Sequence, residues 1–167
     1  MYASTRSLRR APSIIQEEED IKTTVKTATS KDPEGLKTTS MVRGFEVICD
    51  EPENAGGTNL GINPVELLLS SLGSCMTIAA YYLAPSQGIE LESFRVELEG
   101  DVDPDGFMGM NPDVRNGFAQ IRIVHHIKCN APADKAREFV KLVESRRPVS
   151  DTLSAGTEVV ATDIVVE

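Results

Sequence analysis

From Leu67 to Ala84 the chain runs eighteen residues without a charge. The stretch opens with a helix-start signal. Asn63 is a good N-cap, Pro64 suits the first helical position, and Glu66 stands where a capping box needs an acid. Pro85 and Ser86-Gln87-Gly88 stop it. We therefore expect one helix over Asn63–Ala84. A membrane span needs about 20 apolar residues. Here Ser70, Ser71, Gly73, Ser74 and Thr77 dilute the hydrophobicity, and no basic flank orients the segment. The small residues instead suit close packing inside a protein. An uncharged helix should be buried on nearly every side.

Cys75 lies at the middle of this helix. A free cysteine is often a small, inert core residue, and it becomes a nucleophile only where its surroundings favour the thiolate. Both readings stand open on the residues alone. Cysteines 49, 75 and 129 form neither a C-x-x-C pair nor an even disulfide framework, which fits a reducing, cytoplasmic compartment. Two histidines without a ligand pattern argue against zinc, and no cofactor is expected. A net charge of −9 argues against nucleic acid or an anionic membrane as partner.

Residues 1–20 have no apolar period and read as a flexible tail. Their start is rich in arginine and serine and free of acids up to Gln16, as in an organelle transit peptide, so an organelle matrix is the alternative location. Residues 21–167 read as a single domain. Ile21–Thr29 alternates like a strand, and Asp32-Pro33-Glu34-Gly35 is a turn. Leu36–Met41 and Val42–Cys49 read as strand, with Arg43 sharing the parity of Phe45, Val47 and Cys49. Arg43 is then either an inward-pointing cation or an exposed residue near a strand end.

Asp50–Ile62 is a loop, and Leu91–Val102 alternates as a half-exposed strand. Asp101–Asp105 resembles the opening of a calcium loop, but Pro112 occupies its twelfth position, so an acidic hairpin loop is expected. Phe107, Met108 and Met110 in that loop are suited to cover a pocket, to meet a partner or to pack locally. Gly117–Cys129 is a strand whose inward row includes His125, expected to be a satisfied buried histidine. Asn130 should cap a helix over Pro132–Glu144 with Ala136, Phe139, Val140 and Val143 inward, and Glu158–Glu167 should be a closing strand. Such an order indicates an α+β fold with antiparallel sheet.

The run N-P-V-E-L-L-L-S-S-L-G-S-C at 63–75, with R-P-V-S-D-T-L at 147–153, resembles the paired signature of the OsmC/Ohr family. The approach D-E-P-E-N-A-G-G-T-N-L-G-I-N-P is similar as well. The resemblance implies antiparallel sheets wrapping long central helices in an intertwined homodimer. It also implies thiol-dependent reduction of organic hydroperoxides with an external thiol, such as a dithiol, as reductant. The peroxidatic position falls on Cys75, while the resolving position, normally cysteine, is Arg147. Family members also set an arginine from the early sheet beside the thiol, for which Arg43 is the candidate.

A second departure concerns the acid. Peroxide-reducing relatives carry a carboxylate where this chain has Val65. Glu66 lies nine residues before Cys75, and at about 100° per residue it falls on the opposite helix face, so it is assigned to capping. Cys75 is three turns from the helix start, beyond reach of the dipole, and its activation needs a neighbouring cation. Arg147 either supplies that cation or turns outward to cap the preceding helix. The rival to peroxide reduction is a protein of the same fold that lacks this activity and binds a small apolar ligand.

Overall fold

The computed structural model describes residues 24–33, 35–157 and 159. Helix α1 spans Pro64–Leu83. The Asn63 side chain accepts from the Glu66 N–H at 2.9 Å, and the Glu66 carboxylate accepts from the Asn63 N–H at 2.8 Å. Glu66 is thus the capping residue that the sequence indicates. Beyond Leu83 the chain tightens into a 3-10 turn over Ala84–Gln87.

Strands β4 (Leu91–Asp101) and β5 (Gln120–Cys129) form an antiparallel pair with Val96 opposite His125 and Leu98 opposite Ile123. Alternation puts Phe94, Val96 and Leu98 toward α1, which packs on β4. Helix α3 (Ala133–Ser145) buries Ala136, Phe139 and Val143, and joins Ala80, Ala84, Ile89 and Phe94 in the core. Gly73 marks the close approach of α1 to β4, where an added Cβ would lie 2.9 Å from Leu98 Cδ1. The outer face of the pair carries Arg122 with Glu99 and Asp101, Arg95 with Glu97, and Lys128 with Glu92. These are solvent-exposed pairs, each worth about 0–1 kcal/mol. Between the two strands lies a one-turn helix, α2 (Pro104–Phe107), begun by Asp103 and Pro104.

Several expectations need correction. The first strand, β1, covers only Ala28–Lys31, while residues 24–27 pair with no strand among the described residues. Positions 21–23 of the expected strand, the 1–20 tail and nearly all of Glu158–Glu167 lie outside the described residues. Residues 36–49 are two strands, β2 (Thr38–Val42) and β3 (Phe45–Cys49), joined by Arg43-Gly44. Both turn residues have positive φ, 52° and 85°, as a two-residue hairpin requires, and Gly44 meets that demand without a Cβ penalty. Arg43 therefore shares no strand face with Phe45 and Val47. Asn130 does not cap α3; its side chain accepts from the Glu90 N–H at 3.0 Å, and Pro132 precedes the helix. A further helix, α4 (Pro148–Ala155), packs on α1. Pro148 at its first position, followed by an Asp and a Gly at the far end, was its signal.

The expected burial of α1 is also only half met within one chain. Leu72, Met76 and Ala80, one stripe at spacing four, are buried. On the other side Ile78, Tyr81 and Tyr82 are 57%, 49% and 76% exposed. The sheet β1-β2-β3 packs strand on strand, whereas α1 is packed by β4, α3 and α4.

Asp50 holds the loop that aims α1. It is buried, and its carboxylate accepts from the Thr58 hydroxyl at 2.6 Å and from the N–H groups of Thr58, Leu60 and Glu51. The Thr58 hydroxyl, with the three N–H donors, holds the carboxyl below its ordinary 3.8, against an opposing desolvation. A lowered carboxyl pKa stabilises the fold above the unfolded-state value, and this contribution is lost as pH falls through the folded one. Asp50→Ala should therefore lower the melting temperature near pH 7, and the gap to the native chain should shrink below pH 4. Thermal unfolding at the two pH values measures this; a gap that does not change with pH contradicts the role given to the carboxylate.

Candidate thiol site

Helical geometry sets where Cys75 points. Successive residues turn by about 100°, so Cys75 lies about 100° round the helix from Met76, at the border between the buried stripe and the open face. Its own exposure is intermediate, and its thiol is free. Leu68, Leu72 and Ala79, at spacings of seven, three and four, share its flank.

Arg147 is brought to this part of α1 by the junction between α3 and α4. Its Nε donates to the Glu144 carbonyl at 2.7 Å, which caps the end of α3. Its Nη1 reaches Met76 Sδ at 3.2 Å, across 71 positions of sequence. The side chain therefore caps α3 while its far nitrogen rests on the residue that follows Cys75. Met76 is wholly buried and follows Cys75 directly in sequence, about 100° round the helix from it.

His125 joins the same cluster, contrary to the expectation of a satisfied histidine. Its Nε2 is buried and has no hydrogen-bond partner among the described residues. The nearest carboxylate oxygen, Glu144 Oε1, stands at 3.9 Å, and the Phe94 ring packs with its centroid 5.9 Å away. Burial lowers the imidazole below its ordinary 6.5; Glu144 opposes that shift and Arg147 adds to it. The imidazole is therefore neutral at neutral pH. The inward parity of His125 was legible in the sequence, but its orphaned nitrogen was not, because Glu144 and Arg147 come from another element.

Arg43 is not brought to Cys75 within the chain. It is exposed at the hairpin tip, with its guanidinium carbon 5.7 Å from the Phe45 ring centroid, and forms no ion pair among the described residues. Val65, the position without a carboxylate, borders a cavity of about 410 Å³. Leu68, Leu72, Ile121, Ile123 and Leu153 line its walls, with Arg115 at its rim. Ser150, Leu153 and Ser154 of α4 form one wall, which sequence reasoning did not foresee, and Cys75 is not among the lining residues. No cluster of metal-ligating side chains occurs among the described residues.

Comparison with known proteins agrees with this architecture. A family model described as OsmC-like protein matches residues 57–162. No curated protein matches the chain in sequence. Among solved structures, the OsmC-like protein of Mycoplasma pneumoniae superposes with a TM-score of 0.69 at 20% identity, covering 80% of this chain and 89% of that one. An OsmC-like protein of unknown function from Vibrio cholerae gives 0.66 at 9% identity, covering 80% and 95%. The organic hydroperoxide resistance protein OsmC of Legionella pneumophila gives 0.57 at 17% identity, covering 79% and 90%. At these identities the structures speak for the α+β fold, and the family match spans more than half of the sequence. The chain belongs to the OsmC-like protein family.

Proposed function

We propose that the protein reduces organic hydroperoxides through Cys75 and an external thiol. The observation that carries this reading is the docking of Arg147 on Met76, the residue next in sequence to a partly exposed, free thiol. A nearby cation favours the thiolate, which is the nucleophile. The thiolate attacks one peroxide oxygen, the O–O bond breaks, and the alkoxide takes a proton to leave as alcohol. Cys75 is then a sulfenic acid. Arg147 cannot resolve it, so one external thiol condenses with it, releasing water and leaving a mixed disulfide. A second thiol displaces the first as a disulfide and restores the cysteine. The apolar flank of Leu68, Leu72 and Ala79 favours organic peroxides over hydrogen peroxide. The printed name of the Legionella relative points the same way.

The protein is further proposed to act as a homodimer. The open face of α1, with Ile78, Tyr81 and Tyr82, has no cover among the described residues, and the β1-β2-β3 sheet has an exposed Phe45 and Ile48. A second copy satisfies both. A rival reading, peroxidase-inactive binding of a small apolar ligand, draws on the cavity beside Val65.

Turnover of an organic hydroperoxide with a dithiol should be lost in Cys75→Ser, and hydrogen peroxide should be the poorer substrate. Activity that survives the substitution sinks the assignment of Cys75, and inactivity of the native chain favours the ligand-binding rival. Light scattering should show a dimer at micromolar concentration; a stable monomer contradicts the assembly. Arg147→Cys tests the proximity directly. A disulfide needs Cα atoms within about 7 Å. Mild oxidation of this variant should link it to Cys75 within one chain, and a cysteine that stays free removes Arg147 from the site.

A further inference from the structure

We propose that His125 is a positioning residue for Arg147, so that the surroundings of Cys75 respond to pH. For its functional consequence this rests on the thiol reading above; its structural part does not. Each packed element contributes a known neighbour. From β4 come the Phe94 ring and, across the strand pair, Val96, neither of which is charged. From α3 comes Glu144, and from the junction before α4 comes Arg147. Glu144 stands between the two basic groups, with its Oε1 3.9 Å from His125 Nε2 and its carbonyl accepting from Arg147 Nε at 2.7 Å.

These neighbours compete for one another. While His125 is neutral, nothing opposes the guanidinium, which stays on Met76. Once protonated, His125 has N–H donors on both ring nitrogens, and its orphaned Nε2 faces Glu144 Oε1 at 3.9 Å. A small shift closes that gap into an ion pair. The same positive charge repels Arg147. Of the two Arg147 contacts, the one to the Glu144 carbonyl is an ordinary hydrogen bond at 2.7 Å, whereas a thioether sulfur is a weak acceptor. The contact with Met76 yields first. The cation then leaves the α1 turn that carries Cys75, and the thiolate loses its electrostatic support.

The test uses the full chain with its methionine methyl groups labelled for NMR, titrated between pH 8 and pH 4.5. The Met76 methyl should move with the same midpoint as the His125 ring. In His125→Gln, which cannot take a proton, that displacement should disappear. In Arg147→Gln, which keeps the histidine but removes the cation, the His125 midpoint should shift to higher pH. A Met76 methyl that does not titrate, or that titrates unchanged in His125→Gln, overturns the proposal. So does a His125 midpoint indifferent to Arg147→Gln, an arm that holds even where His125→Gln fails to fold. Iodoacetamide should also alkylate Cys75 more steeply with pH in the native chain than in His125→Gln; equal slopes count against the coupling. A native chain with the shared midpoint but no peroxide turnover removes the proposed activity and supports the coupling.

Discussion

A long helix without charges must be covered, and most of this structure follows from how that is done. The stripe of Leu72, Met76 and Ala80 packs against one sheet and two helices. Burying each large side chain contributes about 1.5–3 kcal/mol, against about 0–1 kcal/mol for an exposed ion pair. The apolar seam therefore outweighs the ladder of charges on the outer face of β4 and β5. The capping box at Asn63 and the Asp50 anchor decide where the helix begins and how the loop delivers it. The rest of α1 stays open among the described residues, which is why a second copy belongs to the functional proposal.

Under the proposed function, the same geometry makes the thiol depend on a cation from outside α1. Cys75 is too deep in α1 for the helix start to favour its charge. Its flank is apolar, and an apolar environment alone works against a thiolate. The compensating cation has to come from a distant part of the chain. The α3–α4 junction supplies Arg147, and the two helices meet there because Pro148 ends one and begins the next. Glu144 and His125 come with it, so Arg147 sits in a small polar cluster at the edge of the core.

What could be read from the sequence was what local chemistry dictates. Asn63, Pro64 and Glu66 announced α1, and the alternation of 91–102 and 117–129 announced the strand pair, because period and capping are properties of neighbouring residues. The paired motifs around Cys75 and Arg147 identified the family. Arg43 is exposed near a strand end, one of the two readings open to it, but its shared parity with Phe45 and Val47 failed because parity assumes a continuous strand and a two-residue turn resets it. Helix α4 was missed because eight residues carry little periodic signal. Asn130 has the chemistry of a cap but spends its side chain on the Glu90 N–H, forty residues away. The missing partner of His125 depends on three elements meeting, which no single stretch encodes.

The central claim is that the thiol on α1 is the group that meets a peroxide. The most direct measurement is the mass of the intact protein after one equivalent of an organic hydroperoxide, without reductant and with a sulfenic-acid trap, followed by peptide mapping. The account predicts a single trapped adduct on Cys75, with Cys49 and Cys129 unmodified. An unmodified Cys75, or an adduct confined to Cys129, would contradict it.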